Sequence, residues 1–255
     1  MGTASLPRYQ PSPRTVPALV AGSLWTLALA TAITLCPRGW RSADLTNRLL
    51  SLWSQGWLFA TGANVVIEGA QHLHGIGACV VVSNHQSNLD PIVLTSTFGG
   101  RIRILTKREL FRVPLLGSAL RTMGMVEVNR DSPDRATIAA GAAHALDQGL
   151  PLLVFPEGTT SRTGDLLPFK PGAFQIAIRH GVPIIPVLVT DSREVWPAKR
   201  LKVKAATVRV VVTAPLATEG LAESRVVDLS AMVRGRLENA WRVRSEGQHP
   251  RGIAT

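Results

Sequence analysis

The sequence predicts an α/β fold, a mixed central sheet flanked by helices and preceded by an N-terminal pair of apolar helices. Three observations predict it. Short apolar runs alternate with segments of helical spacing, the pattern of a sheet covered on both faces. The runs at 78–83 and 151–155 each end in a turn crowded with polar groups, as at the carboxyl edge of an open α/β sheet. Residues 16–36 contain no charge and are rich in Ala, Leu, Ile and Thr.

Taken in order, residues 1–14, with Pro7, Pro11 and Pro13 among scattered polar side chains, read as a disordered tail. Residues 15–62 form the membrane-associated helical part and 63–255 the α/β domain. The run at 16–36 is long enough to cross a bilayer on the ~20-residue criterion. Arg8 and Arg14 precede it and Arg38, Arg41 and Arg48 follow, so the positive-inside rule leaves its orientation open. A spanning anchor, a cleaved signal peptide and a buried core helix all fit this run. Its length exceeds an ordinary signal-peptide core, and it is too uniformly apolar for a helix with one buried face. Residues 44–60 place Leu45, Leu49, Leu52, Trp53, Gly56 and Trp57 on one helical face. Trp40, Trp53 and Trp57 suit the headgroup level, where an indole N–H stays wet.

Strands are expected at 64–68, 78–83, 101–106, 125–128, 151–155, 183–189 and 207–214. Asp90 before Pro91 marks a helix start with the aspartate as its cap. Ser132-Pro133-Asp134 opens an alanine-rich helix that reaches Asp147 and stops at Gly149. A helix at 171–179 is stopped by Gly181. The last, at 224–244, turns Val226, Leu229, Val233, Leu237 and Trp241 inward with arginines opposite.

The net charge of +11 calls for a polyanionic partner, nucleic acid or an anionic membrane. No zinc-finger or RNP pattern occurs, and one tyrosine offers little stacking surface, which excludes nucleic acid and leaves the membrane. Cys36 and Cys79 sit in apolar segments and read as buried free thiols. Neither has neighbours at metal-ligand spacing, so no metal is expected.

The chemistry concentrates in Asn84-His85-Gln86-Ser87-Asn88-Leu89-Asp90. A carboxylate beside an imidazole fixes its tautomer and stabilises the imidazolium, so His85 and Asp90 form a candidate general base. Alone, that pair reads more readily as a helix cap and a loop histidine. Phe155-Pro156-Glu157-Gly158-Thr159-Thr160-Ser161-Arg162 adds a glycine that admits close approach, three hydroxyls and a guanidinium suited to phosphate. Arg130 ends a short strand, and Lys107 opens a basic and apolar stretch up to Gly117.

Together these segments resemble the glycerolipid acyltransferase superfamily, specifically its lysophosphatidic acid acyltransferases. Asn84, His85 and Asp90 match N-H-x4-D, and Lys107, Leu110, Pro114 and Gly117 match K-x2-L-x3-P-x2-G. Gly124 to Arg130 matches the next stretch, and Phe155 to Arg162 matches F-P-E-G-T-x-S-R. Phe169-Lys170-Pro171-Gly172-Ala173-Phe174 and Val182-Pro183-Ile184-Ile185-Pro186-Val187 match the remaining two, and the resemblance covers about residues 65–216.

The resemblance implies a glycerolipid acyltransferase-like sheet and transfer of an acyl group from acyl-CoA or acyl carrier protein, with no other cofactor, to the sn-2 hydroxyl of lysophosphatidic acid. His85 and Asp90 are then catalytic, and Lys107, Arg130, Glu157, Gly158, Thr159 and Arg162 bind substrate, with Glu157 organising its loop. Partners are the lysophospholipid acceptor, the thioester donor and an anionic membrane, with the catalytic domain on the cytoplasmic side of the cell membrane. The resemblance adds a further reading of the apolar helices, a pair immersed in one leaflet. At Thr160 many phosphatidate-forming members carry arginine, which keeps lyso-ornithine lipid or another lysophospholipid as an alternative acceptor. An alternative of another class is a non-catalytic lipid-binding protein.

Overall fold

The computed structural model describes residues 12–129, 132, 134–198 and 200–248; the expected tail lies largely outside them. The strands are β1 (Ala63–Glu68), β2 (Val80–Ser83), β3 (Arg103–Lys107), β4 (Val126–Val128), β5 (Leu152–Val154), β6 (Ile184–Thr190) and β7 (Ala206–Val212). They form one seven-stranded sheet in the order β1-β7-β6-β2-β5-β3-β4. β1 and β7 are parallel to each other, β7 is antiparallel to β6, and β6, β2, β5, β3 and β4 are mutually parallel. The carboxyl ends of β6, β2 and β5 therefore lie side by side, with β2 in the centre. Every expected strand is present, its ends moved by no more than two residues.

The helices make two layers. On one face lie α1 (Thr15–Leu35), α2 (Ala43–Thr61), α3 (Asp90–Thr97), α4 (Arg108–Phe111) and α5 (Leu116–Thr122). On the other lie α6 (Arg135–Asp147), α7 (Gly172–His180) and α9 (Val226–Gln248), while α8 (Ser192–Val195) follows β6. The central strands are buried on both sides, so their alternate residues feed different cores. Val81, Leu153 and Ile185 join one, and Val80, Val82, Leu152 and Ile184 join the other. β7 keeps the alternation of a strand covered on one side, with Val208, Val210 and Val212 buried and Thr207 exposed. On α9, Leu229, Val233 and Leu237 are fully buried as the spacing predicts; each contributes about 1.5–3 kcal/mol relative to exposure. Asp134 caps α6 through the amides of Ala136 and Thr137.

Three expectations for the N-terminal part need correction. The buried face of α2 is Thr46, Asn47, Leu50, Ser54, Trp57 and Thr61, while Leu52 is exposed. The small hydroxyls are affordable inside because each bonds a nearby carbonyl: Thr46 to Ser42, Ser54 to Ser51 and Thr61 to Trp57. Trp53 and Trp57 do not hold their indoles in water. Both N–H groups donate to Thr26 Oγ1 at 2.9 Å, between α1 and α2. Gly22 leaves the space for the Trp57 ring, since a Cβ there would stand 2.4 Å from it. Trp40 is exposed, as a headgroup-level indole would be. Cys79 is buried, and burial pushes its thiol up to about 12, whereas Cys36 is only half-buried.

α1 is long and apolar enough to cross a membrane by length and composition. It packs along α2 and α5, with Ala30 and Ile33 inside the core beneath it. Its outer side shows Val16, Val20, Leu24, Leu27 and Leu35, and Phe59 of α2 is 89 % exposed.

Candidate active site

The turn after β2 is anchored before any catalytic group appears. The Asn84 side chain copies a strand: its Nδ2 donates to the Val189 carbonyl and its Oδ1 accepts the Val189 amide, both at 2.8 Å. This ties the end of β2 to β6 and sends His85 over β5, where its ring stacks on Phe155 with centroids 4.2 Å apart. From the β5 side, Ser161 N–H donates to the His85 carbonyl at 2.7 Å, and Glu157 Oε1 accepts the His85 amide at 3.1 Å.

His85 Nδ1 lies 2.9 Å from Asp90 Oδ2. A carboxylate only accepts, so the imidazole proton sits on Nδ1 and the lone pair is on Nε2. No described residue hydrogen-bonds Nε2, and the histidine is 7 % exposed. Asp90 is 0 % exposed. Its Oδ2 also accepts the amides of Gln86 at 2.6 Å and Ser87 at 2.8 Å, and its Oδ1 accepts the Ser192 hydroxyl at 2.5 Å. Asp90 therefore does not cap α3: it is the helix's own first residue, and its carboxylate turns back to the histidine turn. Pro91 leaves the helix start with one amide fewer to satisfy.

Glu157 is the second buried carboxyl, and its Oε2 makes no well-formed hydrogen bond. Burial pushes it up to about 7, against the pull of the His85 and Leu167 amides, and the negative Asp90 adds to the rise. Between the ordinary 4.5 and about 7, the folded protein holds a proton that the unfolded chain has released. Stability therefore falls as pH rises through that window. The loss is on the order of 3 kcal/mol. Glu157→Gln is expected to flatten this slope in denaturant melts taken across the window; an unchanged slope would place the titration elsewhere.

A family model described as Acyltransferase matches residues 64–190. The human 1-acyl-sn-glycerol-3-phosphate acyltransferase alpha is 32% identical over 221 residues, 86% of this chain and 78% of the relative. This chain belongs to the acyltransferase family. The mouse alpha acyltransferase is 33% identical over 224 residues, again 86% of this chain and 78% of the relative. The crystal structure of the 1-acyl-sn-glycerophosphate acyltransferase PlsC from Thermotoga maritima superposes with a TM-score of 0.78 and 21% identity, covering 91% of this chain and 95% of that one. The two share the fold.

In this acyltransferase the sequence-predicted site residues divide by location. His85, Asp90, Glu157 and Gly158 lie together where β2 and β5 end. Gly158 adopts φ 66°, which glycine takes at no cost, and the Lys170 side chain lies over it. Thr159 and Arg162 are exposed further along the same loop. Arg193 holds that loop by donating to the carbonyls of Arg162 and Thr163. Lys107, exposed, ends β3 on the far side of β5, on the same edge of the sheet. Arg130 lies outside the described residues.

Sequence reasoning missed Ser192, gave no task to Asn84, and offered Ser161 only as a hydroxyl donor, not as the amide that holds the His85 carbonyl. The rule that selected His85, a polar cluster where a buried strand ends, also selects Thr190-Asp191-Ser192 at the end of β6. A tie to the α1–α2 pair was missed as well. Ser87 Oγ donates to the Trp196 carbonyl at 2.6 Å, and the Trp196 ring stacks on Trp57 with centroids 5.3 Å apart.

Proposed function

We propose that this enzyme is a 1-acylglycerol-3-phosphate O-acyltransferase that moves an acyl group from a thioester, acyl-CoA or acyl carrier protein, to the sn-2 hydroxyl of lysophosphatidic acid. The product is phosphatidic acid. Kinship with the human and mouse 1-acyl-sn-glycerol-3-phosphate acyltransferases supports the reaction. The observation that carries the mechanism is the His85–Asp90 pair, whose Nε2 has no hydrogen-bond partner among the described residues.

Nε2 takes the proton of the acceptor hydroxyl as that oxygen bonds to the thioester carbonyl carbon. The buried Asp90 stabilises the imidazolium. Collapse of the tetrahedral intermediate breaks the carbon–sulfur bond, and the departing thiolate takes the proton back from Nε2. No acyl-enzyme is needed: no G-x-S-x-G elbow occurs, and Cys79 is held as a thiol. The thioester is a co-substrate and the step uses no further cofactor.

Thr159, Arg162, Lys107 and Arg130 are the groups offered to the acceptor's phosphate, with a guanidinium able to bind two oxygens at once. Arg162→Ala is expected to raise KM for the lysolipid about tenfold while kcat changes little, because a contact made equally in ground and transition states affects KM alone. A fall in kcat at constant KM would refute that role.

The α1–α2 pair immerses in the cytoplasmic leaflet of the cell membrane. Support comes from the outward stripe Val16, Val20, Leu24 and Leu27 with Phe59, and from the packing of α1 along α5, which a spanning helix would have to abandon. Through Trp57 and Trp196 the immersed pair touches the catalytic turn, so the site stands at the leaflet where the acceptor resides. Flotation with anionic vesicles, and the absence of any protected segment on their far side, tests this placement.

The deciding experiment offers labelled acyl-CoA and acyl carrier protein to lysophosphatidic acid, glycerol 3-phosphate and lyso-ornithine lipid in parallel. Transfer to lysophosphatidic acid is expected. Transfer only to another acceptor would keep the chemistry and move the substrate, with Thr160 the first residue to exchange.

A further inference from the structure

The turn that ends β6 has a backbone conformation uncommon for a residue with a side chain. Asp191 sits at φ 65°, in the left-handed region. Its carboxylate is held by the Thr190 hydroxyl at 3.1 Å and by Arg244 in the last turns of α9. The next residue, Ser192, is 0 % exposed, and its hydroxyl donates to Asp90 Oδ1. Asp90 thus has one oxygen engaged by the serine while the other meets His85.

We propose that Ser192 is a positioning residue of the acyl transfer, holding the Asp90 carboxylate so that Oδ2 stays aligned on His85 Nδ1, with the Asp191–Arg244 pair fixing the serine in turn. The inference rests on the acyl-transfer reading above and deepens it. It joins β2, β6 and α9 into one support for the base, although these segments lie more than a hundred residues apart in places. Carboxylates that orient a catalytic imidazole need their own partners, because a small misalignment at the base is expensive in rate.

Among the described residues, the titratable groups tied to Asp90 are His85, which bonds its Oδ2, and Glu157, whose carboxyl burial pushes up and the Asp90 charge raises further; the Asp191–Arg244 pair borders the serine in the chain. Arg193 donates to the Arg162 and Thr163 carbonyls. Loss of the serine hydroxyl therefore removes the partner that Oδ1 has among the described residues. The carboxylate is then free to turn away from Nδ1, and the imidazolium it supports is stabilised less.

The test compares wild type, Ser192→Ala, Asp90→Asn and the double variant, with thermal melts alongside. Ser192→Ala is expected to lower kcat on the order of tenfold, the effect of one hydrogen bond to a charged group. KM for both substrates stays constant, and no further loss follows in the Asp90→Asn background. An unchanged rate overturns the inference. So does a loss that tracks a lowered melting temperature and adds to that of Asp90→Asn, the result of a purely structural serine. Wild-type turnover separates the two levels: an inactive wild type sinks the acyl-transfer reading and this inference together, whereas an active wild type beside an insensitive Ser192→Ala sinks this inference alone.

Discussion

His85→Ala is expected to lower kcat by about 10²–10⁴-fold, the range for a positioned general base, with KM for the lysolipid and vesicle binding unchanged. The histidine side chain supports little else. Its Nδ1 bond to Asp90 Oδ2 is one of three that this oxygen accepts, so the amides of Gln86 and Ser87 still satisfy it in the variant. The turn keeps its backbone ties to Ser161 and to the Glu157 side chain. Besides the Nδ1 bond, the stacking of the ring on Phe155 is lost, worth about 0.5–1.5 kcal/mol. Steady-state rates with circular dichroism on the same preparation check this. A variant that folds and still turns over near the wild-type rate would show that the base is another group.

Much of this fold was legible because its strands are short apolar runs bounded by glycine and proline, and parallel strands buried on both faces leave that trace in any sequence. The His85–Asp90 pair and the Glu157 loop were legible for the same reason, each following such a run immediately. What stayed hidden depends on partners far away in sequence. The face of α2 could not be read from its large apolar residues, since Thr46, Ser54 and Thr61 are buried by bonding local carbonyls while Leu52 faces out. The indoles of Trp53 and Trp57 have the composition of interfacial anchors, and only the position of Thr26 on the adjacent helix turns them inward. Asp90 has the sequence environment of a helix cap. Its carboxylate instead turns back to His85 and accepts from Ser192 about a hundred residues later, a contact no local pattern announces.

That direction makes Asp90→Asn and Asp90→Ala different experiments. In Asp90→Asn, the amide oxygen can occupy the Oδ2 position and accept from His85 Nδ1 and from the amides of Gln86 and Ser87. The new NH2 then faces Ser192 Oγ, and a hydroxyl can rotate from donor to acceptor. All four contacts survive, the turn stays folded, and what disappears is the negative charge beside the imidazolium. The expected outcome is a fall in kcat on the order of 10³-fold, within the range for general-base catalysis, at a melting temperature close to wild type. In Asp90→Ala the amides of Gln86 and Ser87 lose their acceptor at a site with no access to water, a cost of about 1–3 kcal/mol for each. That variant is expected to melt well below wild type as well as to lose activity. If Asp90→Asn retained most of its rate while Asp90→Ala unfolded, the carboxylate would be a support of the turn and its charge irrelevant to the base. If both keep the fold and both lose the rate, the charge is the essential element, and the buried hydrogen bonds serve chiefly to hold it in place.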